Sequence, residues 1–261
     1  MRLTDRAVAA GFRLIALGTV GSTNTEARQR ARAGERGPLW LTAAAQTEGR
    51  GRMARSWISP AGNLYASLLL SDPSPFDRAP ELAFVAALAV RDAVGATVPG
   101  LAKRVTLKWP NDVLIGARKF SGILIEGDSA VDKTVTAIIG IGVNCTSHPQ
   151  DAAFPATDLA AEGTAVGAQR LFESLSAAMC GRLAQWQRGQ GFAQILADWR
   201  AQAHGLGQPV TVRNGMGEKR GRFADLDAAG RLILELPDGG LEKIAAGDVF
   251  PLDARSGDSA G

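Results

Sequence analysis

Apolar positions along this chain change their spacing several times, and each change marks a different kind of element. Residues 39–45 and 64–70 are short, nearly continuous apolar runs, which predict buried strands. Between residues 78 and 94 Leu82, Val85, Leu88 and Ala89 recur at helical spacing in an alanine-rich background. Runs at 105–109, 113–115, 120–126 and 135–143 then predict four successive strands. Residues 149–167 read as loop. Beyond them Leu171, Leu175, Met179, Leu183 and Trp186 repeat at helical spacing, and Phe192, Ile195, Leu196 and Trp199 fit the i, i+3, i+4, i+7 face of a second helix. Near the start, Thr23-x-x-Glu26 has the form of a capping box and predicts a helix over 24–33, with Gly34 just past its end.

After a linker at 205–209 the pattern shortens to strands at 210–213, 219–226, 231–236 and 241–244, the last two joined by an Asp238-Gly239 hairpin signal. This stretch is too short for a sandwich and predicts a small barrel. The organisation expected is a large domain over residues 1–205, a small one over 206–253 and a disordered tail over 254–261. No internal repeat is present.

Composition narrows the class. A chain of 261 residues, 46% hydrophobic and 21% charged, has room for one sizeable core and a smaller domain. A net charge of +3 is too small to mark a nucleic-acid binder by itself. Of 29 basic residues only six are lysine, so Lys108 and Lys119, both inside unusual segments, draw attention as compact point charges. The two cysteines, Cys145 and Cys180, form no CxxC or disulfide framework, and the two histidines stand apart, which disfavours a histidine-based metal site. Asp5 and Arg13 interrupt the mildly apolar N-terminus, so neither a signal peptide nor a membrane span is expected, and the protein is expected to be cytoplasmic.

Candidate chemistry sits in three segments: Gly49-Arg50-Gly51-Arg52-Met53-Ala54-Arg55-Ser56-Trp57, Lys108-Trp109-Pro110-Asn111-Asp112, and Lys119-Phe120-Ser121-Gly122-Ile123-Leu124. Taken alone, each has an ordinary explanation. The first could be a solvated or RNA-binding Arg/Gly loop, the second a bare turn, and Lys119 a surface lysine at a strand edge; Thr23 could simply cap its helix. Gly140-x-Gly142-x-Asn144 lacks the third, helix-opening glycine of a dinucleotide site, and no Walker loop occurs. Neither a Ser-His-Asp nor a Cys-His set is evident.

In order and spacing, Ser22-Thr23-Asn24, the three segments and the Gly140–Asn144 pattern resemble the biotin–protein ligases, with specific motifs over residues 14–145 and a weaker likeness to about residue 252. The resemblance implies an α+β fold: a mixed-sheet catalytic domain shared with class II aminoacyl-tRNA synthetases, followed by an SH3-like barrel. It implies that biotin and MgATP give biotinyl-5'-AMP, and that a lysine of a biotin carboxyl carrier protein, such as that of acetyl-CoA carboxylase, then takes the biotinyl group.

It also implies site residues. Ser22, Thr23, Asn24, Gln46, Arg50, Gly51, Arg52, Lys119 and Gly122 would bind biotin, the hydroxyls and the Gln46 amide meeting its cyclic urea. Arg50, Arg52, Arg55, Trp57, Lys108, Asn111, Asp112, Lys119 and Asn144 would surround ATP and the adenylate. Lys119 would be catalytic, bridging the biotin carboxylate and the α-phosphate, with Arg52 beside it. Asn111 would touch the nucleotide, and Asp112 would orient a loop arginine or a Mg²⁺-bound water. Met53-Ala54 departs from the polar or glycine-containing filler of the family loop. The nearest rival is a lipoate–protein ligase. A biotin-responsive repressor would need a DNA-binding headpiece, for which the 21 residues before Ser22 are too few, so no specific DNA is expected; a homodimer is possible. Stacking aromatics for an RNA-binding module are scarce, with a single Tyr.

Overall fold

The computed structural model describes residues 1–129, 135–150, 154–215 and 217–252. Its elements run α1 (Asp5–Ala9), β1 (Arg13–Val20), α2 (Thr23–Arg32), β2 (Leu39–Gln46), β3 (Leu64–Ser71), α3 (Glu81–Thr97), β4 (Val105–Lys108), β5 (Asp112–Ile115), β6 (Arg118–Ser129), β7 (Val135–Val143), α4 (Ala168–Trp186), α5 (Phe192–Arg200), then β8 (Pro209–Asn214), β9 (Gly217–Leu226), β10 (Leu232–Glu235), β11 (Leu241–Ile244) and β12 (Asp248–Pro251). The predicted tail at 254–261 lies outside the described residues.

Seven strands form one sheet in the order β1-β2-β3-β7-β6-β5-β4, parallel between β1 and β2 and antiparallel elsewhere. The period of two along its strands sorts side chains to two faces. Trp40, Leu64, Ala66, Leu68, Ala137, Ile139 and Ile141 join the core under α3, α4 and α5, while Leu39, Leu41, Leu69 and Ile138 pack with Ala27 of α2 on the opposite face. One short helix cannot cover a seven-stranded sheet, so part of the α2 face stays open, and the site occupies that part.

The second sheet, in the order β11-β10-β9-β8-β12, is antiparallel throughout. It docks through Trp109, 1% exposed, whose indole N–H donates to the Gly230 carbonyl at 2.9 Å. Next to it, β4 pairs with the chain after α5: the Leu107 N–H donates to the Gln202 carbonyl at 2.8 Å, and the Leu107 carbonyl accepts from the His204 N–H at 2.7 Å. Gly230, at φ 76°, leaves no space for a Cβ beside the Phe84 ring, so the loop can press flat on α3. No helix among the described residues is long and apolar enough to cross a membrane.

Three local expectations change. The predicted capping box is not formed: Ser22 is the residue before the helix, and Thr23, inside it, turns its hydroxyl and N–H to the Gln46 side chain instead. Strands β1 and β12 had no prediction. β1 is a sheet edge: its apolar run, Leu14 to Leu17, is only partly buried, and Arg13, Ala16, Gly18 and Thr19 are exposed. Lys119 is not on a free edge either. It lies in an interior strand at a register shift between β5 and β6, with Ala156 bridged alongside.

Candidate functional site

A cavity of about 360 Å³ opens on the α2 face, bounded by the N-terminus of α2, residues 50–58, strands β5 to β7 and β12. Its floor is made of glycine. Gly122 of β6 stands opposite Gly142 of β7, which in turn pairs with Tyr65 of β3, and Gly140 pairs with Ser67. A Cβ on Gly142 would lie 2.5 Å from the Trp57 indole nitrogen, and one on Gly140 would lie 2.5 Å from Asn24 Oδ1. These two glycines let the Trp57 ring and the start of α2 lie directly on the sheet.

The end of the cavity nearest α2 is polar and neutral. The Thr23 backbone N–H and hydroxyl both donate to Gln46 Oε1, at 2.8 and 3.1 Å, and Gln46 Nε2 donates to Ser59 Oγ at 3.0 Å. Ser67 Oγ lies 2.7 Å from Thr23 Oγ1 and 2.6 Å from Asn24 Oδ1. Ser22, Thr23 and Asn24 are each 4% exposed. Such a network fixes the rotamers of the groups that would meet a neutral ligand. Asn24 Nδ2 donates to Glu126 at 2.8 Å, and Glu126 also pairs with Arg28 at 3.1 Å and with Arg50 at 3.5 Å. A second Arg50 nitrogen donates to Thr25 Oγ1 at 3.0 Å, so Arg50 is tied to the helix side of the cavity.

The opposite end is cationic. Lys119 Nζ lies 2.7 Å from Asp112 Oδ1 and 5.4 Å from the centre of the Trp57 ring. Lys108 Nζ lies 3.7 Å from Asp112 Oδ2 and faces the rings of Phe154 and Phe250 at 4.4 and 5.7 Å. Burial pulls the Lys108 ammonium below the usual lysine range, helped by the charges of Lys119 and Arg52 and opposed by Asp112 and Asp248. Arg52 donates to Asn111 Oδ1 at 2.9 Å and to the Gly247 carbonyl at 3.3 Å, while Asn111 Nδ2 donates to the Ile123 carbonyl at 2.5 Å. Arg55 pairs with Asp248. Burial works against ionisation of Asp248, but the Arg55 guanidinium, with Arg52 and Lys108 nearby, outweighs it and holds the carboxyl below the usual range. Five cations, Arg50, Arg52, Arg55, Lys108 and Lys119, thus line the cavity against two carboxylates, Asp112 and Asp248.

All the sequence-predicted residues are gathered here: each of Ser22, Thr23, Asn24, Gln46, Arg50, Gly51, Arg52, Arg55, Trp57, Lys108, Asn111, Asp112, Lys119, Gly122 and Asn144 lines the cavity. Their local partners differ in two cases from the expectation. Asn111, not Asp112, holds the loop arginine, and Asp112 faces the two lysines. Asn144, 3% exposed, spends its side-chain N–H on the Thr157 carbonyl at 3.1 Å. Sequence reasoning passed over Glu126, Tyr65, Phe154, Asp248 and Phe250. Glu126 carried a readable signal, a carboxylate in phase with Gly122 and Leu124 on an apolar strand; Asp248 and Phe250, in an unpredicted strand, carried none.

Among the described residues no group of three or more His, Cys, Asp or Glu side chains is placed to hold a metal ion. Asp112 and Asp248 are both engaged by cations, so the donor set does not make a protein-held Mg²⁺ site. What the arrangement can do is hold a neutral group at one end and two anionic groups, brought together, at the other.

Known proteins share this arrangement of sequence and fold. A profile described as the biotin/lipoate A/B protein ligase family matches residues 19–144, and one described as the biotin protein ligase C terminal domain matches residues 205–250. The biotin–[acetyl-CoA-carboxylase] ligase of Paracoccus denitrificans is 38% identical over 243 residues, covering 90% of this chain and 98% of its own length. Biotin protein ligase from Aquifex aeolicus, solved in complex with biotin and ATP, matches with a TM-score of 0.77 at 27% identity, over 91% of this chain and 97% of that one. The Leishmania major biotin protein ligase in complex with biotinyl-5-AMP gives a TM-score of 0.62 at 27% identity, over 90% and 99% of the two chains.

Proposed function

The chain belongs to the biotin/lipoate A/B protein ligase family, and from that premise we propose that it is a biotin–protein ligase acting on a biotin carboxyl carrier protein. The observation that carries the reading is the polarity of the cavity. A neutral, hydrogen-bonding end at Ser22, Thr23 and Gln46 suits a cyclic urea, and a cationic end at Lys119, Lys108 and Arg52 suits a carboxylate meeting a phosphate. The relatives solved with biotin and ATP, and with biotinyl-5-AMP, support the same assignment.

In the first step a biotin carboxylate oxygen attacks the α-phosphorus of MgATP, the bond to the β-phosphate oxygen breaks, and pyrophosphate leaves. Lys119 is the catalytic residue: its ammonium, kept in place by Asp112, bridges the two anions and follows the charge that develops on the phosphorus oxygens. Arg52, held by Asn111, and Lys108 take the remaining phosphate charge. The metal enters with the nucleotide's phosphates as part of the substrate. In the second step the neutral amine of a carrier lysine attacks the carbonyl of the mixed anhydride, AMP leaves, and the amine loses its proton. Residues 49–57, with Trp57 on the glycine floor, shield the anhydride from water between the steps. The last five strands are read as the SH3-like barrel of the family, the catalytic sheet as its class II synthetase-like fold, and the setting as the cytoplasm.

The deciding experiment is exchange of labelled pyrophosphate into ATP with biotin, with lipoate and with neither acid. Exchange that needs biotin is expected. Equal exchange with lipoate, or none with biotin, overturns the assignment.

A further inference from the structure

Residues 49–57 fold largely onto themselves. Gly51 N–H donates to the Arg55 carbonyl at 2.7 Å, Trp57 N–H to that of Gly49 at 2.9 Å, and Arg50 bridges to Ser56. At its tip Met53 and Ala54 have φ of 54° and 56°, a left-handed conformation that side chains with a Cβ rarely adopt. Such a tip needs support from outside, and its charged side chains find that support at the start of β12, on Gly247 just before it and on Asp248. Arg55 pairs with Asp248, and two Arg52 nitrogens donate to the Gly247 carbonyl at 3.3 Å.

That strand is itself firmly placed. Asp248 pairs with Arg213 in the β12–β8 register, and a Cβ on Gly247 would come within 2.9 Å of the Arg213 carbonyl. The sheet that carries it is fastened to the catalytic sheet by Trp109, two residues from the Asn111 that holds Arg52 from the other side. An isolated exposed ion pair would contribute little. Here the carboxylate side chain is 20% exposed, while the guanidinium of a second arginine is held one residue away.

We propose that Asp248 is a positioning residue for the ligase reaction: from the last strand of the C-terminal sheet it holds residues 49–57 shut over the reacting centre through Arg55, while the Gly247 carbonyl holds Arg52. The proposal rests on the reading of the cavity as an adenylate site. The loop closes by docking on the second domain, so that domain is part of the active site, and retention of the activated acid depends on it. Biotin itself, gripped at the α2 end, does not.

The test compares full-length wild type with Asp248→Asn, Arg55→Gln, the double variant and Asp248→Glu, each incubated with biotin and MgATP. Release of biotinyl-adenylate, biotin affinity and the melting midpoint are measured side by side. Adenylate release is expected to quicken about three- to five-fold in either single variant and by no more in the double, since one bond is lost in all three. Asp248→Glu is expected to recover most of the retention, with biotin affinity unchanged and the melting midpoint lowered by no more than about 4 °C in any variant. Unchanged release, independent and multiplying effects of the two substitutions, or a loss that scales with a larger fall in melting midpoint overturns the proposal. If wild type forms no biotinyl-adenylate, the ligase reading itself falls, and that outcome is visible before any variant is compared.

Discussion

Two basic segments meet at the same cavity, and they are built in opposite ways. Residues 108–112 are locked into the structure: Lys108 and Asp112 face each other in the β4–β5 register, Trp109 is buried against the second sheet, and Asn111 is bonded to the Ile123 carbonyl. Residues 49–57 carry their charges on a loop whose tip is exposed and left-handed, closed on itself by backbone bonds and tied to Asn111, Gly247 and Asp248 through the side chains of Arg52 and Arg55. The first segment is ready before any ligand arrives. The second has to be held in place by what it covers and by what it docks against. On the proposed reading, one enzyme thereby gains a fixed electrostatic frame for the chemistry and a separate cover for a labile product.

If the rigid segment joins the two domains, its largest effect is structural. Trp109→Ala removes a 1% exposed indole and the bond to Gly230, and should cost about 3–5 kcal/mol of stability. Thermal unfolding should show it, with both reaction steps impaired together. A small shift in midpoint would mean that the domains are joined elsewhere.

Next is the charge that the rigid segment orients. Lys119→Ala should lower the adenylation rate on the order of 10²–10³-fold, about 2.7–4 kcal/mol, while the fold persists. Asp112→Asn, which leaves the ammonium but frees it to move, should lose less. Pyrophosphate exchange measures both, and a Lys119→Ala enzyme with near-normal exchange would return Lys119 to the status of a surface lysine.

The cover can be disturbed without touching a charge. At Ala54 a β-branched side chain fits the left-handed backbone worse than alanine, so Ala54→Val should weaken the closed loop by about 1 kcal/mol and speed adenylate release about five-fold. Ala54→Gly should be nearly neutral, since relief of that cost is offset by a freer open loop. Equal behaviour of the two variants would show that the backbone at the tip does not matter.

The smallest effect is with pH. Because Asp248 sits below the usual carboxylate range in the folded protein, its contribution is fully present above the unfolded value, near 3.8, and is lost as pH falls through the folded one. The groups facing it are Arg55, Arg52 and Lys108, all cationic in that window. The stability difference between wild type and Asp248→Asn should therefore be under about 1 kcal/mol at neutral pH and vanish in strong acid. A difference that grows on acidification would contradict the pairing.

Local signals carried most of the catalytic sheet and all the predicted lining residues, because apolar runs and turn residues act over a few positions. The edge strand at Arg13–Val20 escaped although Leu14 to Leu17 form an apolar run, because four apolar residues before a glycine fit a strand and a short helix equally well. Thr23 misled because a hydroxyl beside a helix start has two possible partners, and Gln46, 23 residues away, won. Trp109 appeared in a motif, yet its task is to bond a residue 121 positions later. Asp248 lies 193 positions from Arg55, so no local pattern could have announced it.

Amide hydrogen exchange across residues 49–57 and 105–126, with and without biotinyl-adenylate, tests the contrast between the two segments most directly. The loop amides should exchange quickly in the free protein and slow markedly with the adenylate bound, while those of β4, β5 and β6 are protected in both states. A loop already as protected as the strands without ligand, or strands that gain protection as much as the loop does, would contradict the account.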